Sequence, residues 1–569
     1  MAGVMRTARA ALVVPLLLAA AACSDDPAPA AAPPLPSVSA PPSPSAATGD
    51  PVADALARMS DADLAGQVLM PYAYGSAATS VDKTSAAGNQ GLAGVDTPAE
   101  MIAKFHLGGL ILVSFTAQDP TGTTNPTTNV ENPKQVRALT DGLQAAAART
   151  PGGAPLMIGI DQEYGVVTRV TNGVTMLPSA MAAGAAAQPK LTENAWRAAG
   201  EELAAMGVTV DFAPVADTLG PPDNTVIGSR AYGSDAEANA AQVSAAVRGL
   251  QGAGVVAGLK HFPGHGHTSG DSHDSLPVVT QSRADWETQD LPPFRSGVES
   301  GAGVVMSGHL DVQGLDKGVP ATFSHKVMTE ELRGRLKFTG VAVTDAMNMP
   351  PAMKWPPGEA AVRALNAGND MLLMPPDIAA ARDGIVAGLK DGSLKRERLV
   401  EAVTRILTLK LRRPARSRPD VATVGSPAHA AAVAPLAAAA VTVLRGSCAG
   451  PLLTGPVSVS ADGVRETAKQ TLIKELQAAG VKVQPSGGSV IRLVGYGDKP
   501  ADLDATAAVT IAMDTPHLLA SSTSKTLIAT YSSSRLSLAA AARVIAGRAK
   551  PTGRSPVSVA GLPATACAA

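Results

Sequence analysis

The chain has 569 residues, with 47 basic side chains against 48 acidic ones and a formal net charge of −1. At about 100–200 residues per domain that length exceeds one folding unit, and the charge balance gives no electrostatic basis for binding nucleic acid. Hydrophobic residues make up 45% and aromatics 3%, so large cores built on Ala, Val, Leu and Ile are available and wholesale disorder is excluded. Past the amino terminus no segment approaches the roughly 18 apolar residues of a membrane span, which excludes a polytopic membrane protein.

Residues 1–22 read as an export signal: Arg6 and Arg9 precede an apolar run from Ala10 to Ala22. Cys23 directly after small residues resembles the bacterial lipoprotein pattern, in which that cysteine becomes the lipidated amino terminus; simple signal cleavage beside a bystander Cys23 is the alternative. Residues 23–50 are rich in Pro, Ala and Ser without apolar periodicity and read as an extended tether. The expected location is the extracytoplasmic face of the cell membrane, with the lipid as the only membrane contact. Setting Cys23 aside leaves Cys448 and Cys567, an even pair in an oxidising compartment and therefore a disulfide candidate.

From about residue 60, short apolar runs alternate with amphipathic stretches. The runs are 66–72, 108–115, 155–161, 208–213, 255–261, 302–309, 341–345 and 370–374; helices fit between them at 132–148, 191–206, 235–252, 291–300 and 358–367. Near-continuous apolar strands separated by helices predict a parallel sheet buried on both faces. Eight such units over residues 51–411 predict a (β/α)8 TIM-type barrel, with an open doubly wound sheet as the alternative. Asp161, Asp211, Lys260, His261, His309 and Asp345 all fall at or near the carboxyl ends of these runs, the rim where a barrel builds its active site.

A basic, proline-broken connector begins at Arg412, and residues 412–435 read as a linker. Residues 436–569 carry a second α/β pattern, with strands near 441–444, 457–460, 481–483, 490–494, 509–513 and 527–530 and helices near 466–479 and 536–546. This predicts a smaller three-layer α/β sandwich domain.

The richest stretch runs from Gly258 to Pro277 (GLKHFPGHGHTSGDSHDSLP), with four of the nine histidines inside 20 residues. Small residues around ionisable ones suggest a mobile loop that carries an acid/base group to a substrate. His265 and His267 could instead be a pair of metal ligands, although the interleaved Pro and Gly argue against a rigid metal site. The expectation is no metal and no cofactor.

The ordered motifs GGLIL, IDQE, DFAPV-x-D, VIG-x-R-x-Y, KHFPGHG, DSH and VTDAM between about residues 60 and 410 resemble glycoside hydrolase family 3. The resemblance is to its β-N-acetylglucosaminidase (NagZ-like) branch, enzymes of cell-wall turnover. DTPHLLASS and TLIATYSSS further along are similar to the family's second domain. The resemblance implies a (β/α)8 barrel, a carbohydrate partner with terminal GlcNAc, and hydrolysis with retention. It implies Asp345 as nucleophile, His273 with Asp271 as the proton-transferring pair, and Asp161, Arg169, Arg230, Lys260 and His261 as sugar-binding positions. Each role is chemically sensible: retention calls for a carboxylate nucleophile and a proton donor, and an imidazole held by an aspartate exchanges protons near neutral pH. Helix capping by Asp345 and surface or interdomain ion pairs at Arg169 and Arg230 are the competing uses of those residues. His265 and His309 carry no catalytic expectation beyond loop geometry. The pattern departs from the family at Phe115–Thr116, Tyr164, Val166 and His267, all on the aglycone side. A β-glucosidase of the same family, an idle sugar-binding lipoprotein and a metal-dependent hydrolase are the rival functions.

Overall fold

The structure is a computed structural model that describes residues 49–115, 119–412 and 417–567. The export signal, Cys23 and nearly all of the tether lie outside the described residues. Among the described residues no helix is long and apolar enough to cross a membrane.

All eight apolar runs of the first part contain a strand: Leu69–Met70 (β1), Gly109–Leu112 (β2), Met157–Ile160 (β3), Val210–Asp211 (β4), Val256–Phe262 (β5), Val304–Ser307 (β6), Val341–Thr344 (β7) and Leu372–Leu373 (β8). Strands β2 to β7 form one parallel sheet in chain order, and β1 pairs in parallel with β8. The two sheets meet at both margins. The Ile111 amide donates to the Pro71 carbonyl at 3.0 Å, the Thr344 amide donates to the Met371 carbonyl at 3.0 Å, and Val343 bridges Met371. The result is the TIM-like barrel that alternating strands and helices predict. Every residue of β2, β3, β5, β6 and β7 is buried, as strands with helices outside and packed side chains inside must be.

The helices obey their own end signals. Asn132 caps Pro133–Ala147 with its side chain on the Gln135 amide, and Asp235 caps Ala236–Ala253 on the Ala238 amide. Pro189 opens Pro189–Ala205 at a position where a missing N–H costs nothing. A wide-turned helix at Lys326–Arg335 and a small parallel pair, Val278–Val279 with Asp311–Val312, had no forecast in the apolar pattern.

The carboxyl-terminal part has a five-stranded mixed sheet: Thr442–Arg445 (β9), Val457–Ser460 (β10), Ser489–Val494 (β11), Val509–Ala512 (β12) and Thr526–Ala529 (β13), in the order β9-β13-β12-β11-β10. Only β9 runs antiparallel, against β13. The expected strand at 481–483 is reduced to a single bridge between Val483 and Val457. Alternation decides the two faces. Val443, Val457, Ile491, Leu493, Val509, Ile511 and Ile528 pack under the helices Glu466–Ala478 and Arg535–Ile545. Leu444, Val494, Ala512, Leu527 and Ala529 join the core that continues into the barrel. Val433, Leu436 and Ala440 of the helix Pro427–Ala440 lie in that same core. Cys448 and Cys567 are disulfide-bonded, with Cα atoms 5.5 Å apart.

Candidate active site

The strand tips of one barrel end deliver the ionisable groups. Asp161 follows β3, Lys260 and His261 end β5, and Asp345 follows β7. These four line one cavity together with Arg169, Arg230 and His273. Of the other tip residues, His309 and Asp211 do not line it. His309 Nε2–H donates to the Ala346 carbonyl at 3.0 Å and so holds the backbone beside Asp345. Asp211 accepts the Gln162 amide at 2.9 Å, and burial drives its pKa well above the usual carboxylate value.

The wall of the cavity is an ionic network. Lys260 Nζ lies 2.6 Å from Asp161 Oδ1 and 2.6 Å from Glu163 Oε1. Arg230 grips Glu163 with both prongs, Nε to Oε2 at 2.8 Å and Nη2 to Oε1 at 2.9 Å. Arg169 pairs with Asp119 and reaches Asp161 Oδ2 at 3.3 Å. Lys260, Arg169 and Arg230 thus face Asp161, Glu163 and Asp119, three cations against three carboxylates, as burial requires. Burial pushes the Asp161 carboxyl up, but Lys260 and Arg169 outweigh it and hold its pKa below the ordinary value. Burial likewise opposes the charge on Glu163, and Arg230 and Lys260 hold it ionised. Asp161 is the member of this network left partly open, at 15% exposure of its side chain.

Arg230 Nη2 also lies 3.3 Å from His261 Nε2. An arginine can only donate, so Nε2 accepts and the proton sits on Nδ1, which donates to Asp217 Oδ2 at 2.8 Å. Asp217 further accepts the His261 and His265 amides at 3.1 and 2.8 Å. Glu163, Asp217 and Asp119 are the residues that reading the sequence passed over. Glu163 and Asp217 had a usable signal, since each stands in a strand-end motif and two buried cations call for more than one anion. Asp119 had none.

The loop after β5 begins under close constraint: a Cβ on Gly266 would lie 1.8 Å from the Thr218 carbonyl. His265 is buried, with Nε2 3.1 Å from Ser272 Oγ, and burial pushes its pKa down to about 4. His267 Nδ1 lies 2.9 Å from Asp290 Oδ1. Among the described residues the one cluster with metal-ligand spacing is Asp462, Asp498 and Asp502 in the carboxyl-terminal part, remote in sequence from these histidines. Asp271 Oδ1 accepts from His273 Nδ1 at 2.7 Å and from the His273 amide at 2.8 Å. Burial pushes the Asp271 carboxyl up, but the hydrogen bonds and charge of His273 together outweigh it and hold its pKa below the ordinary value. The carboxylate thus sets the tautomer and leaves His273 Nε2 for proton exchange.

Asp345 accepts the Ala346 amide at 2.8 Å through Oδ1. Burial opposes its charge, yet the neighbouring His261, His309 and His273 keep its pKa below the ordinary value. A carboxylate ionised at neutral pH and an imidazole with an exchangeable proton therefore share one cavity wall. The cavity they line has an open volume of about 30 Å³, room for ordered water.

Residues 66–409 match the model of the glycosyl hydrolase family 3 N terminal domain. The chain is 33% identical over 384 residues to "Beta-hexosaminidase A" of Pseudoalteromonas piscicida, covering 62% of this chain and 62% of that protein, so it spans less than two thirds of that relative's length. It is 33% identical over 320 residues to "Beta-hexosaminidase LpqI" of Mycobacterium tuberculosis, covering 54% of this chain and 77% of that protein. The solved structure of a glycoside hydrolase family 3 beta-N-acetylglucosaminidase from Paenibacillus sp. str. FPU-7 superposes with a TM-score of 0.75 at 31% identity, over 90% of this chain and all of that one. A family match across most of the barrel, joined to a solved relative that carries the same two-part architecture, shows that the chain belongs to glycosyl hydrolase family 3.

Proposed function

We propose that the protein is a retaining exo-β-N-acetylglucosaminidase acting on terminal GlcNAc of cell-wall-derived, muropeptide-type glycans. The observation that carries this reading is the shared cavity of Asp345 and His273, two groups 72 positions apart in the chain that line one wall beside Asp161. The names carried by the Pseudoalteromonas, Mycobacterium and Paenibacillus relatives support the sugar and the linkage.

In the proposed first step the Asp345 carboxylate attacks the anomeric carbon while His273 Nε2–H passes its proton to the departing glycosidic oxygen, giving a glycosyl-Asp345 ester. In the second step the now neutral His273 takes a proton from water as that water attacks the same carbon, which frees Asp345 and leaves the sugar with its original configuration. Asp271 stabilises the imidazolium in each half-cycle. Asp161, partly open and flanked by Lys260 and Arg169, accepts hydrogen bonds from sugar hydroxyls. Arg230, Lys260 and His261 hold that acceptor and the pocket wall in place. Export and lipidation at Cys23 complete the proposal; Cys23→Ser would then move the protein from the detergent phase to the aqueous phase on partition.

The test is a panel of nitrophenyl glycosides with product configuration followed by NMR. Turnover of the GlcNAc glycoside with retention is expected, together with loss of activity in Asp345→Ala and a fluorosugar adduct on the Asp345 peptide of the wild type. Preference for the glucoside would instead make it a β-glucosidase, chelator sensitivity would indicate a metal hydrolase, and sugar binding without turnover would leave a binding protein.

A further inference from the structure

The carboxyl-terminal sheet presents the loop after β11, Gly495–Lys499, to the barrel. Two cavities of about 220 and 360 Å³ lie along the seam, and both have Gly495, Tyr496 and Asp514 in their walls. The barrel side is formed by Gly165 and Val166, just after the Asp161–Glu163 segment, and by Asn224, Thr225 and Ser229, just before Arg230. Seam and candidate active site are lined by adjacent residues of the chain: Thr225 and Ser229 of the seam directly precede Val226 and Arg230 of the active-site cavity.

The loop is held rigidly. Arg465 Nη2 donates to the Tyr496 carbonyl at 2.6 Å and Arg465 pairs with Asp498 at 2.9 Å, while the Gly495 amide donates to Asp498 Oδ2 at 2.8 Å. Across the seam the Ser229 hydroxyl donates to Asp514. The Tyr496 ring is half-buried. Burial raises the pKa of its phenol, and its other influences are the charges of Asp514, Arg230, Asp271 and Asp119. Three of those four belong to the barrel site, and Asp271 is the partner of His273. Asn224, which shares a cavity with Tyr496, donates to the His265 and Gly266 carbonyls at 3.0 Å each, so this cavity abuts the acid/base loop, while the other places Tyr496 opposite Val166, a departure from the family pattern.

We propose that Tyr496 is the platform of the subsite for the departing half of the substrate, a second sugar ring whose apolar face stacks on the phenol ring. This inference rests on the glycosidase reading above. A pyranose offers one face of C–H groups and a rim of hydroxyls. The seam offers an aromatic plane with an apolar body and polar tip, surrounded by the hydroxyls of Thr467, Thr471 and Ser533 and the Asp514 carboxyl. That combination suits a hydroxylated ring better than an alkyl chain, because a few polar groups around an apolar surface fix the orientation of a ligand. The carboxyl-terminal part thereby acquires a role in choosing which glycan is cut.

The test compares kcat/KM for N,N′-diacetylchitobiose, which leaves a sugar, with kcat/KM for GlcNAc β-azide, which leaves three atoms. The ratio of the two is independent of how much enzyme is folded. Tyr496→Ala is expected to lower the ratio about tenfold, the scale of a lost aromatic contact of about 1.4 kcal/mol, and Tyr496→Phe is expected to keep it within about twofold of the wild type. A ratio unchanged in Tyr496→Ala, with both substrates slowed alike or neither slowed, would overturn the subsite. A wild type that cleaves neither compound would overturn the glycosidase reading itself and the subsite with it.

Discussion

At Glu163 two cations converge on one buried carboxylate: Arg230 with two hydrogen bonds and Lys260 with one ion pair. Removing one partner of such a group strands the others without water, at a cost of about 3–5 kcal/mol. Glu163→Gln keeps the shape and deletes the charge, so it should lower the unfolding free energy by that order in urea titrations, and a loss below about 1 kcal/mol would show the network to be looser than its distances suggest. His273 is held differently, with 10% of its side chain exposed and its ring paired with Asp271. His273→Ala should slow substrates with poor leaving groups at least about a hundredfold while slowing dinitrophenyl-type substrates far less, because proton donation contributes about 10²–10⁴-fold only where the leaving oxygen needs it. Equal losses across the leaving-group series would remove His273 from that role.

Among the elements, the loop from Pro263 to Pro277 joins rigidity to function. Its base is pinned by the Gly266 approach to Thr218 and by buried His265, and its tip carries Asp271 and His273. His265 links this loop to pH. In the unfolded chain it takes up a proton near pH 6.5, but in the folded protein only near pH 4. Between those values the unfolded state binds more protons, so stability falls as pH drops from about 6.5 to 4, by up to about 3 kcal/mol. His265→Gln should flatten the fall in urea midpoint between pH 7 and 4.5, and a fall equal to that of the wild type would place the coupling elsewhere. The strands and helices of the barrel were legible because burial on both faces writes an apolar run and capping residues write the ends; Pro133–Ala147 and Leu291–Glu299 fall within a residue of expectation. The bridge at Val483 was misread because Val481 and Val483 look like a strand whether or not a neighbour pairs beyond one residue. The site was legible at its strand tips and motif residues. The pairing of Asp119 with Arg169 was not, because two residues 50 apart meet only through the barrel's curvature.

For the molecule as a whole, the carboxyl-terminal sheet depends on the barrel, since one of its faces buries Leu444, Val494, Leu527 and Ala529 in the core that the two parts share. Its topology adds a second dependence. β9 is the antiparallel edge of that sheet, and the last described segment returns to it, with the Ala566 amide on the Val443 carbonyl at 2.7 Å and Cys567 bonded to Cys448. The disulfide spans 119 positions. A cross-link over so long a loop restricts the unfolded chain strongly, and losing a native disulfide costs about 2–5 kcal/mol. Against this, Cys567 also packs on the core beneath the two helices, so part of the closure survives without the bond. Reduction, or Cys448→Ser, should therefore lower the thermal midpoint of the oxidised protein by several degrees while leaving the barrel's activity on small glycosides intact. The expected count of free thiols from Cys448 and Cys567 is zero before reduction and two after it. A melting curve indifferent to reductant would mean that packing of the returning segment, and not the covalent bond, holds the edge of the sheet.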